Sequence, residues 1–149
     1  MFTLQTKNKH MENLILAKTF KHASVFTVSN HADTAIVQAL SSYIPFESFK
    51  EIFTFIGEFA KKNNLTKLVF DKTKLTVFHQ PSMEWYFVEW KEKMFEQGLT
   101  NHVKILPADD VFRQSVRIGR DKINKNFPTK KFNQMNIQYA QTIEEALSL

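Results

Sequence analysis

The side chains best suited to chemistry in this chain gather in one stretch. Asp71, Lys72 and Thr73 follow the apolar run Leu65-Thr66-Lys67-Leu68-Val69-Phe70, and His79 and Ser82 follow in the same loop. A carboxylate, an ammonium, an imidazole and two hydroxyls offer donors and acceptors to a polar ligand, and Phe78 offers an apolar wall. Ligands of open α/β sheets bind beyond the carboxyl ends of the parallel strands. Residues 71–82, together with 107–110, are therefore the candidate ligand or partner loop. The plainer reading is a connecting loop.

Catalytic sets are missing from the rest of the chain. The three glycines, Gly57, Gly98 and Gly119, all fall in or beside helical patterns, so no phosphate-cradling loop or dinucleotide fingerprint can be assembled. His10, His22, His31, His79 and His102 stand singly, without metal-ligand spacing, and read as surface or loop histidines. There is no cysteine, which removes disulfides, thiolate metal sites and cysteine nucleophiles. No Gly-x-Ser-x-Gly elbow exists, and Asp109-Asp110 reads as a helix cap rather than a catalytic carboxylate pair. No enzyme, metal or cofactor is expected.

Two further patterns suit binding. Arg113, Arg117 and Arg120 form a basic stripe at helical spacing, continued by Lys122 and Lys125, which could grip phosphates in a salt-sensitive way. Asp121 beside it favours an ordinary solvated face, and 15 acidic residues interspersed with 20 basic ones make the net charge of +5 weak support for nucleic-acid binding. Trp85, Tyr86 and Phe95 lie off the inward stripe of their helix and form the candidate interface, since Trp and Tyr favour interfaces.

The elements that must position these residues follow from periodicity. Residues 24–29 and 34–41 are β-branched and apolar around the turn Asn30-His31-Ala32-Asp33 and predict a β-hairpin. Residues 14–20 offer an edge strand at the end of an N-terminal arm, 1–22, in which Met11 is an alternative start to Met1. Phe49, Ile52, Phe53, Ile56, Phe59 and Ala60 draw one helical stripe, with Gly57 marking a close packing contact. After the strand 67–70 and the loop 71–80, Pro81 and Ser82, the latter as N-cap, open an aromatic helix. Met83, Phe87, Trp90 and Met94 face inward there, while Glu84, Glu89, Lys91, Glu92, Lys93 and Glu96 take the wet side. Leu75, Val77 and Phe78 either pair briefly as an edge or fold back over the core. Strand 102–106, a helix from Asp109 or Asp110 to Phe127, strand 135–139 and the helix 143–149 complete the order, and Thr142 with Glu145 makes a capping box. Residues 23–149 thus form a single α/β domain with a mixed, mostly parallel sheet, an N-terminal β-hairpin and covering helices.

Within that order, Tyr43-Ile44-Pro45-Phe46-Glu47-Ser48-Phe49-Lys50-Glu51, Leu68-Val69-Phe70-Asp71 and the Glu89-Trp90 helix stand out. Together with Ile105-Leu106-Pro107-Ala108-Asp109-Asp110-Val111-Phe112 and Thr142-Ile143-Glu144-Glu145-Ala146-Leu147, they resemble the STAS or SpoIIAA-like family, above all its small stand-alone STAS/SEC14-like bacterial members. The resemblance implies a SpoIIAA-like fold and a role in binding and regulation rather than catalysis. Family antagonists carry a phosphorylated Ser in an Asp-Ser-Ser/Thr-Gly motif. Here Lys72-Thr73-Lys74 follow Asp71, so the Ser and the Gly are missing.

The expectation is a non-enzymatic STAS-like domain that binds an unknown protein partner as a homodimer. The alternative is a small-molecule or lipid carrier with an apolar pocket under the aromatic helix. Nucleic-acid binding through the Arg113 stripe comes third. No apolar run approaches the roughly 20 residues of a membrane span, and the expected location is cytoplasmic.

Overall fold

The computed structural model describes residues 13–149, so the first part of the arm lies outside the described residues. Its architecture is α/β, built on a six-stranded mixed sheet with strands in sequential order. Strands β1 (Leu14–Thr19), β2 (Ala23–Val28) and β3 (His31–Ala39) form an antiparallel meander. Strands β4 (Lys67–Asp71), β5 (Asn101–Ile105) and β6 (Asn136–Ala140) each add in parallel to the strand before.

Helix α1 (Phe46–Asn63) links β3 to β4. The β4–β5 link runs without a break through α2 (Gln80–Trp85), a π-helical turn (Tyr86–Trp90) and α3 (Lys91–Glu96). Helix α4 (Asp110–Asn126) and a 3-10 turn (Lys131–Gln134) lead to β6, and α5 (Ile143–Ser148) closes the chain. Parallel crossovers are right-handed, and here each moves one strand further along the sheet, so successive helices stack on one face. Residues of α1, the aromatic helix and α4 accordingly share one core with Val37, Leu68 and Phe70. The opposite face packs α5 through Ala146 onto Val28, Ile36, Val69 and Val103.

The stripe expected on α1 is buried through Phe49, Ile52, Phe53, Ile56 and Ala60. Each large side chain among them contributes roughly 1.5–3 kcal/mol. Gly57 is where the aromatic helix closes onto α1, since a Cβ there would meet Met94 Cε at 2.9 Å. Trp90 Nε1 donates to the Phe53 carbonyl at 2.7 Å and Gln97 Nε2 to that of Gly57 at 2.9 Å. Asp109 caps α4 by accepting from the Val111 and Phe112 amides, at 2.8 and 3.1 Å.

Three expectations change. Ser82 is not the N-cap: α2 begins at Gln80, and the imidazole of His79 accepts from the Ser82 amide at 3.3 Å. Residues 75–78 form no strand; the amides of Thr76 and Val77 bond to the Ser42 carbonyl and fold the loop over the core. Lys91 is on the buried side, not the wet one. The inward residues of the aromatic helix are Ser82, Met83, Tyr86, Phe87, Trp90, Lys91 and Met94. Their spacing is four rather than 3.6, and the wider π turn absorbs the difference. No helix among the described residues is long and apolar enough to cross a membrane.

Candidate functional site

The parallel register sets a row of side chains facing the aromatic helix. Val37 stands beside Phe70, Phe70 beside Lys104, and Lys104 beside Tyr139. Lys72 leaves the end of β4 on that side and His102 precedes Lys104 on the same face of β5. Lys91 comes down from α3 and Arg120 across from α4. The result is a layer of cations set among aromatic rings. Lys104 Nζ lies 4.1 Å from the Phe87 ring centroid and Lys91 Nζ 4.9 Å from it. Lys91 Nζ is also 4.5 Å from the Tyr86 ring, and Lys72 Nζ 4.8 Å from that of Phe70.

This layer is dry. Lys91 and Lys104 are 0% exposed, His102 1%, Tyr86 2% and Lys72 8%. Among the described residues the one ion pair is Glu47–Lys50, on the far surface of α1, so no carboxylate balances the buried lysines. Lys91 Nζ bonds to His102 Nδ1 at 2.8 Å, and His102 Nε2–H donates to the Leu99 carbonyl at 2.8 Å. Arg120 Nη1 donates to the Tyr139 hydroxyl at 2.7 Å. Lys104 Nζ and the Tyr86 hydroxyl are buried without a hydrogen-bond partner among the described residues. The π system of an adjacent ring attracts an ammonium but does not replace a full acceptor.

Burial governs the protonation of the layer. It pushes the Lys72 amine down to about 8, with Arg120 adding to the effect. Burial, then the neighbouring cations, holds Lys91 and Lys104 well below the ordinary lysine range. His102 is held well below its usual value by burial and then by Lys91, which keeps the ring neutral and fits its acceptor role at Nδ1. Burial raises the Tyr86 phenol, so it stays protonated.

Beside the layer, at the carboxyl end of β4, is a cavity of about 60 Å³. Phe49, Phe70, Leu75, Phe78 and Phe112 wall it, and its polar lining is Tyr43, Lys72, His79, Ser82 and Tyr86. Room of this order admits a few water-sized groups. A wider open groove of about 490 Å³ runs along α4 and β6, lined by Arg113, Arg117, Arg120 and Tyr139 with Asp121 among them.

The candidate loop thus divides. Lys72, His79 and Ser82 meet at the cavity, with the His79 Nδ1 and Ser82 hydroxyl 2.7 Å apart. Asp71 and Thr73 do not line it. Asp71 accepts from the Thr73 amide at 3.0 Å, from the Thr73 hydroxyl, and from Gln38 Nε2 at 3.1 Å, which closes a turn at the strand end. The candidate interface residues divide by burial. Tyr86 is interior, Trp85 packs edge-on against Phe49 at 6.1 Å, and Phe95 is half-buried beneath Lys131. Tyr86 therefore lines the cavity from the interior and is not part of a docking face. His102 is a buried strand residue, not a surface or loop histidine.

Lys91, Lys104, His102 and Tyr139 belong to the site and escape a reading by sequence. Asn101-His102-Val103-Lys104-Ile105 alternates polar and aliphatic residues, and the polar half of such a strand ordinarily faces water. The available signal was the helix that follows β4, whose aromatic excess exceeds one stripe. Among the described residues no three His, Asp or Glu side chains gather as a metal site would need. No protein-family model, curated protein or solved structure matches the chain at a significant level.

Proposed function

We propose that this chain is a small-molecule-binding domain whose ligand sits at the carboxyl end of β4, under the aromatic helix. The observation that carries the reading is the Tyr86 hydroxyl, which is buried beside the cavity without a partner among the described residues. Such an orphan costs about 1–3 kcal/mol, and a ligand that pairs with it recovers that energy. The surroundings support this: mostly apolar walls with a few convergent polar groups are the usual lining of a ligand site. The sequential strand order supports the SpoIIAA-like reading of the fold, in which the protein binds rather than catalyses.

Native mass spectrometry of freshly purified protein tests the reading. The expected result is a small-molecule adduct on the 17.5 kDa chain, lost when Val116→Trp fills the cavity that Val116 lines. Bare protein that no member of a panel of small acids, amides, alcohols and amines stabilises against heat would sink it.

Self-association is the second reading, now placed on a different element. Strand β1 is the outer strand of the sheet, and Ile15 and Leu16 on it are 53% and 56% exposed. Unpaired apolar edges pair readily with another chain. Light scattering is expected to give twice the chain mass, reverting to one chain in Leu16→Lys. A monomeric wild-type protein would remove this reading and leave the pocket untouched.

A further inference from the structure

Among the described residues no carboxylate pairs with the cation layer. Lys72, Lys91, Lys104 and Arg120, contributed by β4's end, α3, β5 and α4, converge on the rings of Phe70, Tyr86 and Phe87. Two of the four have local uses. Lys91 is bonded to His102, and Arg120 to Tyr139. Among the described residues Lys104 Nζ has no hydrogen-bond partner, and Lys72 Nζ lies against the Phe70 ring. Evolution of a stable core alone has no reason to put such groups here, because aliphatic residues of the same size would pack at lower cost.

Resting on the pocket reading above, we propose that the ligand is a compact monocarboxylate with an apolar tail. Its carboxylate lies against Lys72 Nζ and the Tyr86 hydroxyl, and its tail lies between Phe49, Phe70 and Phe112.

The head-group chemistry follows from the charges. A carboxylate accepts from an ammonium and from a phenol at once, and Lys72 and Tyr86 both line the cavity. In a partly enclosed site the attraction between unlike charges is less screened than at the open surface. Lys104 Nζ sits 5.2 Å from the Tyr86 ring and Lys91 Nζ 4.5 Å from it, and a bound anion nearby favours the protonated form of both. A neutral head, such as an amide or an alcohol, would pair with Tyr86 and leave the lysines unanswered.

Size and lining restrict the rest. A phosphate carries up to two charges and needs donors on every side. The cavity of about 60 Å³ supplies Lys72, Tyr86, Ser82 and His79, the last two already bonded to each other. The apolar walls favour an aliphatic or aromatic tail over a second polar group. The guanidinium groups of the open groove are a separate surface: none of them lines the cavity, which shares Val116 with the groove. At neutral pH Lys72, with its amine near 8, still carries the proton that the carboxylate requires.

The test is isothermal titration of the full chain with butanoate, hexanoate and benzoate, each beside its amide, and with inorganic phosphate. At least one acid should bind ten-fold or more tightly than its amide. That preference should vanish in Lys72→Met, and Tyr86→Phe, which keeps the ring and removes only the hydroxyl, should weaken the acid by about ten-fold. Lys104→Met should reduce the preference without abolishing it. A thermal melt of each variant checks that it is folded, and Tyr86→Phe decides if Lys72→Met is not. Amides that bind as well as their acids would overturn the carboxylate and leave the pocket standing. Phosphate binding more tightly than every acid, in a manner sensitive to Lys72→Met, would overturn the carboxylate in favour of a phosphate. If the purified chain carries an adduct that is not an acid, the carboxylate fails alone. If nothing binds and no adduct is present, the pocket fails with it.

Discussion

The two faces of the sheet solve the same packing problem with different chemistry. Beneath α5 the strands present Val28, Ile36, Val69, Val103, Ile105 and Ala140, a conventional aliphatic core. Beneath the three longer helical segments the same strands present Phe70, His102 and Lys104 to Tyr86, Phe87 and Lys91. On β5 the contrast falls between adjacent residues, Val103 and Ile105 on one side and His102 and Lys104 on the other. The polar half is the better enclosed. The aliphatic face holds the molecule together, while the cationic face gives up stability that an aliphatic core would have supplied, which is common where function competes with folding.

The largest effect expected from this contrast is on the aliphatic side. Val69→Lys puts an ammonium where Val69 is 0% exposed among aliphatic neighbours. No aromatic layer or hydroxyl is there to receive it, and the cost should exceed about 4 kcal/mol. Circular dichroism should find little or no folded protein. A well-folded Val69→Lys would show that the two faces do not differ in their tolerance of charge.

Stability should climb with pH over an unusual range. Lys72 titrates near 10.5 in the unfolded chain and about 8 in the folded one, so between those values the unfolded state holds more protons. Folding is then favoured as pH rises, by up to roughly 3 kcal/mol for a shift of this size. Lys91 and Lys104 act in the same direction, since their folded values are also lowered. His102 does so from the acid side: its folded value lies below 6.5, so stability is lost as pH falls through that value. Tyr86 opposes them only above its unfolded value near 10, because the folded phenol keeps its proton. The groups that face Lys72 across this layer include Lys91, Lys104, His102, Arg120 and Tyr139, with His79 and Tyr86 at the cavity and Asp71 next in sequence. Urea midpoints from pH 6 to 10 should rise. A fall between about pH 8 and 10 would show that the buried lysines are answered by charges or water not apparent here.

Much of this architecture was legible in the sequence because periodicity reports burial. The hairpin, the stripe on α1, the strand 67–70 and the Asp109 cap each rest on local patterns that nothing at long range overrides. The site was only half legible. The loop with Lys72, His79 and Ser82 could be found from the rule that ligands sit at strand ends, and the excess of Trp85, Tyr86 and Phe95 marked the helix that covers the cavity. Lys91 and Lys104 could not be found, because burial of an unpaired lysine runs against residue preference. The π turn that rotates Lys91 inward left only a spacing of four among inward residues, which a wheel drawn at 3.6 misplaces.

Lys104→Met sharpens the comparison by changing sign. It removes a buried cation that has no partner among the described residues and replaces it with a side chain of similar length. Without ligand the variant should be more stable by about 1–3 kcal/mol, which corresponds to several degrees in Tm for a domain of this size. Calorimetry of the ligand-free protein reads this directly. A loss of stability of the same size would mean that Lys104 is compensated in the folded state, and that the two faces are alike in being built for stability.

The smallest expected effects separate the cavity from the rest of the helix-covered face, through its two helical glycines. A Cβ at Gly57 would meet the flexible end of Met94 at 2.9 Å, a contact the thioether can yield. Gly57→Ala also removes a helix penalty of about 1 kcal/mol, so the two effects should nearly cancel. At Gly119 the added Cβ would lie 2.3 Å from Gln80 Oε1 and 2.7 Å from Phe78 Cζ. Gln80 can swing away, but Phe78 is wedged edge-on against Phe112 at 6.3 Å, and both rings line the cavity. Gly119→Ala should therefore cost about 1 kcal/mol and displace a cavity wall, so that ligand affinity falls more than stability does. Paired melts and titrations of the two variants measure this. Equal and small changes in affinity would place the ligand away from Phe78, because only a ligand against that wall feels the helix α4 backbone through it.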